Sequence, residues 1–273
     1  FKSTDQGQSW FGASNGIGID YSEPAAMVIS GNDYIFFSGY ETGIYRSTNN
    51  GEFWEQLFWG PKDIYELMVT SNDYIFAGVA DDQFFITVLR STNYGDSWED
   101  ISGQINKNVY ALTSSQDKVF AGTSGDGVFI SANYGNSWTQ SSLYTNYIAS
   151  LAVSSSGNVF AGTFSGLIYK STDSGSNWDI LPGMWGYECV STILTQVPGY
   201  IFVGLGRWIS LGSGEKIFRS TDEGVTWTSI NNGIHTSQGI VELISTSSGY
   251  IYATTADNGT FRTSDYGNMW EQA

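Results

Sequence analysis

This chain of 273 residues carries 27 acidic and 11 basic side chains, a net charge of −16, which argues against nucleic-acid backbones and anionic membrane surfaces as partners. Its one cysteine, Cys189, excludes an internal disulfide framework and a cysteine-rich zinc site. With 16% aromatic residues, 33 Gly and only 4 Pro, the composition excludes disorder and suits many short strands joined by tight turns.

The first element is an eight-residue frame at Ser3–Trp10, which returns at Ser47, Ser91, Ser131, Ser171, Ser220 and Thr263. Each copy reads hydroxyl, any residue, Asp or Asn, any residue, Gly, two more residues, Trp. The third position is Asp5, Asn49, Asn93, Asn133, Asp173, Asp222 and Asp265. A metal site would need the charge more consistently, so the shared property is a short side-chain oxygen that accepts backbone N–H groups ahead of it. Gly two residues later supplies a positive φ, and the tryptophan opens the next strand with a large ring to pack over the turn. The frame is therefore read as a folding device at a hairpin corner.

The tryptophans Trp10, Trp54, Trp98, Trp138, Trp178, Trp227 and Trp270 are 44, 44, 40, 40, 49 and 43 residues apart, a blade-sized period. Within one repeat the predicted strands are Val109 to Ser114, Lys118 to Thr123, Gly127 to Ser131 and, after the frame, Trp138 to Ser141. Four strands per repeat make one blade. The second strand is the clearest echo, as in Val119-Phe120-Ala121-Gly122 and Val159-Phe160-Ala161-Gly162, apolar on both faces as a sheet sandwiched between two others requires. Counting strands gives six full sets and an orphan third and fourth strand at residues 1 to about 13. The expected reading is an all-β propeller of four-stranded antiparallel blades over residues 1–273. It has seven blades with an incomplete first one, the missing strands coming from an upstream segment; a six-bladed array is the alternative.

The frame resembles the Asp-box, or bacterial neuraminidase repeat, of sialidases, sortilin-type receptors, photosystem assembly factors and secreted bacterial propellers. That resemblance implies a secreted or cell-surface protein, with the boxes as structural turns away from the functional face. It places ligands on the opposite face, formed by the loops from fourth to first and from second to third strands. Fold alone does not settle function.

Two loops of that face depart from the repeat, Leu181–Glu188 and Gly204–Glu215. Their aromatics Trp185, Tyr187 and Trp208, with Trp59 from an earlier loop, are candidates to stack on sugar rings or fill a protein partner's pocket. The plainer alternative is packing within their own loops. Arg207 is the single arginine outside the box strands and a candidate for a ligand carboxylate, with Glu188 or Glu215 as internal alternatives. The arginines Arg46, Arg90, Arg219 and Arg262 recur at one position and read as scaffold.

Aligning the first strands on Met27, Leu67, Leu112, Leu151, Ile193 and Leu243 leaves Glu66 and Glu242 where the other repeats have small residues. The first strand lines the axis of a propeller, so both glutamates are weak catalytic candidates near the channel; channel water or a lysine such as Lys62 or Lys107 would also satisfy them. The sole histidine, His235, lacks the company of a catalytic triad. Asp81, Asp82, Asp126 and Asp257 read as a solvated acidic face, and neither a metal nor a cofactor is called for.

Sialidases of the resembled family hold their substrate's carboxylate with three arginines, which Arg207 alone cannot supply. The preferred expectation is a non-catalytic propeller that binds a glycan or an extracellular protein through its loop face. A glycoside hydrolase using two carboxylates is the alternative, and a membrane-complex assembly factor a third. No run is long and apolar enough to span a bilayer.

Overall fold

The structure is a computed structural model that describes residues 1–18, 24–58, 63–80, 86–144, 147–183, 188–206 and 216–273. Its strands fall into two compact units, Phe1–Gln140 and Ser141–Ala273. The first holds three antiparallel sheets: β1 (Pro24–Ile29), β2 (Ile35–Gly39), β3 (Gly43–Ser47) and β4 (Glu55–Phe58); β5 (Asp63–Val69), β6 (Ile75–Ala80), β7 (Val88–Ser91) and β8 (Glu99–Asp100); β9 (Val109–Ser115), β10 (Lys118–Thr123), β11 (Val128–Ser131) and β12 (Thr139–Gln140). The second holds three more: β13 (Ile148–Val153), β14 (Val159–Thr163), β15 (Ile168–Ser171) and β16 (Asp179–Ile180); β17 (Val190–Leu194), β18 (Ile201–Leu205), β19 (Ile217–Ser220) and β20 (Thr228–Ser229); β21 (Ile240–Ser245), β22 (Ile251–Thr255), β23 (Thr260–Thr263) and β24 (Glu271–Gln272).

Every sheet has its strands in chain order, which is the antiparallel blade of a β-propeller. Six blades stand among the described residues, the alternative count rather than the seven expected. Among the described residues the first hairpin makes one antiparallel bridge, Lys2 with Phe11, and no first or second strand joins it. A lone third and fourth strand cannot form a sheet of its own. Apart from β4 the fourth strands are also shorter than predicted, and all begin after the tryptophan.

The box turn is built as its residue types require. In the copy at Ser220, the hydroxyl donates to Asp222 Oδ1 at 2.8 Å and accepts the amides of Asp222 and Gly224, while Asp222 Oδ1 accepts the amide of Thr226 at 2.8 Å. Ser91 and Asn93 repeat those bonds with a neutral side chain, Asn93 Nδ2 donating to Ser97 Oγ at 3.0 Å instead. The fourth box residue also has positive φ, from 55° at Tyr134 to 61° at Gln6 and Tyr266, ahead of a glycine near 80–90°. Two consecutive left-handed residues turn the chain sharply enough to face the hydroxyl with its own amides. Where the third residue is Asp its carboxyl sits low: the hydroxyl and then the amide of Thr226 hold Asp222 at about 2, and Ser9 does the same for Asp5.

Successive blades are latched at three levels. Along the outer edge, cations that precede a box reach the next box's fourth carbonyl: Lys2 to Asn50 O at 2.9 Å, Arg46 to Tyr94 O at 2.7 Å, Lys170 to Glu223 O at 3.1 Å and Arg219 to Tyr266 O at 2.7 Å; the Ser131 box is preceded by Ile130 instead. Some box indoles reach back, Trp138 Nε1 to Ile101 O and Trp270 Nε1 to Ile230 O, both at 2.8 Å, whereas Trp178 Nε1 bonds Gly175 O in its own turn. Between these lie the second strands, whose Phe36, Phe76, Phe120, Phe160 and Phe202 are fully buried, each ring contributing about 1.5–3 kcal/mol. On the inner side, the glycine of the Phe-Ala-Gly pattern lets the next blade's first strand approach. A methyl group on Gly162 would lie 2.4 Å from both Ser150 Oγ and Val190 Cγ1.

Gly162→Ala is therefore expected to destabilise the second unit by about 1–3 kcal/mol through overpacking, read from the denaturant midpoint. The box carboxyls have a pH signature. Because Asp222 is held at about 2 when folded but titrates near 4 when unfolded, its contribution is complete above about pH 4 and is lost as pH falls toward about 2. Asp222→Asn keeps the acceptor oxygen, as Asn93 does, and should flatten the loss of stability across that window in acid titrations monitored by circular dichroism.

Candidate functional site

The first strands start, and the second strands end, at the side of each sheet away from the boxes. Each first strand carries a β-bulge there: the register slips past Tyr65 between Ile64 and Glu66, and past Tyr110 between Val109 and Ala111. A bulge re-aims the extra side chain out of the pleat. In the first unit those two extra residues are tyrosines, and Tyr40, just beyond β2, joins them. Tyr40 and Tyr65 meet edge to face with centroids 5.1 Å apart, and Tyr65 and Tyr110 at 4.8 Å with rings at 90°. The three half-buried rings form one row across three successive blades. Glu66 follows Tyr65 directly, and Lys107 and Asn108 stand just ahead of β9, so charged and amide groups border the row.

The second unit treats the same positions differently. Its bulge residues are Ala149, Ser191 and Val241, so among the described residues the tyrosine bulge positions of the first unit are not repeated there. Ser191 Oγ is buried, 2.6 Å from Ile240 O, and Thr192 Oγ1 donates to Glu242 Oε1 at 2.8 Å. The Glu242 carboxylate thus bonds to the neighbouring first strand. Asp257, from the loop after β22, accepts the Ser237 hydroxyl at 2.6 Å and its amide at 2.8 Å, together with the hydroxyl of Thr236. The Ser237 hydroxyl, followed by that of Thr236, holds its carboxyl at about 2. His235 is exposed beside this turn and accepts Asn258 Nδ2 at its carbonyl.

A buried ion pair closes the same end. Lys216 Nζ contacts both oxygens of Glu188, at 2.6 and 2.7 Å, with side-chain exposures of 2% and 13%. Asn231 Oδ1 accepts the amides of Lys216 and Ile217 alongside. Glu188, read from sequence as an internal partner for Arg207, is engaged by Lys216.

The candidates Trp59, Trp185, Tyr187, Arg207 and Trp208 lie outside the described residues, as do Asp81 and Asp82. Glu66 and Glu242 do occupy equivalent places, opposite Gly78 and Thr254, on different units. The box residues Asp5, Asn49, Asn93, Asn133, Asp173, Asp222 and Asp265 all sit in turns as acceptors of backbone amides. The arginines read as scaffold, Arg46, Arg90, Arg219 and Arg262, lie in third strands; Arg90 bonds Tyr134 O and Asn136 and pairs with Glu99 at 2.8 Å. Cys189 is buried. The tyrosine row was missed, although its signal is present: Tyr65 and Tyr110 each stand two places before an aligned first-strand leucine.

No family model and no curated protein matches this chain. Solved structures do. An ancestral GH74 enzyme aligns with a TM-score of 0.75 at 19% identity over 92% of this chain and 38% of its own. The extracellular domain of a hybrid two-component system from B. thetaiotaomicron aligns at 0.74 and 15% over 94% of this chain and 34% of its own. YCF48 bound to D1 peptide aligns at 0.66 and 14% over 94% and 87%. This chain spans little more than a third of the first two. At such identities the likeness establishes the β-propeller fold.

Removing one partner of the buried pair strands a charge. Glu188→Gln is expected to cost about 3–5 kcal/mol in urea unfolding, more than Glu188→Gln combined with Lys216→Met, which removes both charges.

Proposed function

We propose that this chain is a non-catalytic Asp-box propeller module, secreted or displayed at the cell surface, that binds a glycan through its loop face. The observation that carries this reading is the row of Tyr40, Tyr65 and Tyr110. Edge-to-face tyrosines expose alternating ring faces and edges, which suit the C–H faces of sugar rings, while their hydroxyls suit sugar hydroxyls. Rings pinned by their neighbours lose little freedom on binding. The loop residues Trp59, Trp185, Tyr187, Arg207 and Trp208 are sequence candidates for the same role in this reading. The similarity to an extracellular domain and to an ancestral GH74 enzyme supports an extracellular carbohydrate setting.

A protein ligand on the same face is the second reading, supported by the similarity to a propeller solved with a bound peptide. The catalytic alternative rests on Glu66 and Glu242. It is weakened by Glu242 accepting a hydrogen bond from Thr192, which ties its carboxyl group to the neighbouring first strand.

A polysaccharide and glycan-array screen, run beside hydrolysis assays, tests the proposal. Binding without turnover is expected, weakened about tenfold or more by Tyr65→Ala, which removes the central ring. Turnover abolished by Glu66→Gln or Glu242→Gln would establish a hydrolase instead. Retained glycan binding in Tyr65→Ala would remove the row from the site.

A further inference from the structure

The arginines that precede the boxes have two hydrogen-bonding edges, and in the second unit one of those edges is bare. In β3, Arg46 Nη1 bonds Tyr94 O and Asp96 Oδ1 of the next box, each at 2.7 Å, while Nε and Nη2 meet Glu55 at 2.8 and 2.7 Å. Glu55 stands directly across from Arg46 on the fourth strand. Arg90 and Arg262 repeat this pairing with Glu99 and Glu271, their own cross-strand neighbours.

Arg219 keeps the latch and lacks both carboxylates. Its Nη1 bonds Tyr266 O at 2.7 Å and Asn268 Oδ1 at 3.3 Å. The residue across from it in β20 is Thr228, too short to take the place of Glu55, and Asn268 stands where Asp96 serves Arg46. Among the described residues neither Nε nor Nη2 of Arg219 has a hydrogen-bond partner. The guanidinium is nonetheless fixed. Its central carbon lies 5.6 Å from the centre of the Tyr200 ring, which stacks on Tyr266 with centroids 4.6 Å apart and planes at 15°. Because latch and cross-strand register match those of Arg46, the bare edge faces Thr228.

That edge borders a pocket of about 310 Å³ between β20 and the box of the β21–β24 blade, lined by Arg219, Thr228, Ser229, Asn232 and Asn268 among others. None of the described residues that line it is acidic. The free fork of a guanidinium matches a carboxylate in a bidentate pair, and a fork already held by a ring and a carbonyl loses little freedom on binding. Around it stand hydroxyls and an amide suited to ligand hydroxyls: Thr228 and Asn232 are exposed, and Ser229 Oγ, which accepts Asn231 Nδ2 at 2.9 Å, keeps its own proton to donate. The pocket has room for one ring rather than a chain, and a net charge of −16 repels polyanions, so the fitting ligand carries a single carboxylate.

We propose that this pocket binds one acidic sugar of the uronic-acid class. Its carboxylate pairs with Nε and Nη2 of Arg219, in the role that Glu55 has beside Arg46, and its hydroxyls meet Thr228, Ser229 and Asn232. The site shares no residue with the tyrosine row and does not rest on it.

The probe is sodium glucuronate, titrated into the whole chain and followed by calorimetry and by the Arg219 Nε–H resonance in nitrogen-edited NMR. One-to-one binding that shifts this resonance is expected, with glucose and acetate each about tenfold weaker or worse. Thr228→Glu supplies from within the carboxylate that Arg46 and Arg90 already have. At this exposed position it should preserve the circular dichroism and Tm of the parent and weaken glucuronate about tenfold or more. No shift at Arg219, equal binding by Thr228→Glu, or glucose or acetate binding as tightly as glucuronate would overturn the proposal. So would binding lost in Tyr65→Ala and kept in Thr228→Glu, which would move the acidic sugar to the tyrosine row.

Discussion

The fold rests on one serine or threonine hydroxyl per repeat, caught between its own backbone amides and an Asx side chain. With the fourth and fifth box residues both left-handed, the chain doubles back inside a few residues, and the hydroxyl is the group that satisfies the amides this exposes. Everything outward of the hairpin follows from that geometry. The tryptophan is delivered to the seam with the preceding blade, the fourth carbonyl is turned toward the cation of that blade, and the glycine leaves room for its phenylalanine. Either Asp or Asn serves, because oxygen rather than charge is the functional atom.

From these corners the stabilisation passes from neighbour to neighbour. Within a unit, a blade gives its predecessor a box glycine and an indole, and gives its successor a buried aromatic and, where one precedes its box, a cation. The middle blade of each unit therefore has both faces covered, as the near-zero exposure of the β6 and β18 residues shows. At the loop end the same scaffold is free to differ. One first-strand bulge recurs throughout, and its extra residue is tyrosine in two blades of the first unit and Ala, Ser or Val in those of the second. Invariance at one end and variety at the other are how a repeat scaffold separates folding from recognition.

Much of the scaffold was legible in the sequence because its signals are local. The hydroxyl-Asx-Gly-Trp spacing and the Phe-Ala-Gly strands gave the blades, and the recurrence of Arg46, Arg90 and Arg219 marked them as scaffold. The blade count was less legible, since residues 1 to 13 read as strands whose partners no local pattern could supply. The candidate site was harder still. A bulge alters which way a residue points without altering its neighbours in sequence, so the shared place of Tyr65 and Tyr110 two residues before a leucine does not by itself reveal a row of rings. Lys216 gave no sign of burial, because its partner Glu188 is 28 residues away and nothing in either environment announces the pairing.

The forward latch has an evolutionary corollary. Its acceptor is a main-chain carbonyl, offered in turn by Asn50, Tyr94, Tyr134, Glu223 and Tyr266, so the donor cation makes no demand on the identity of the residue it grips. Side-chain pairs would have to mutate in concert; a carbonyl is present whatever the codon. Repeats joined this way can be duplicated, lost or exchanged without rematching their seams, and their sequences can drift far while the shape persists. That freedom accounts physically for a chain whose architecture is shared with many solved structures at identities below a fifth.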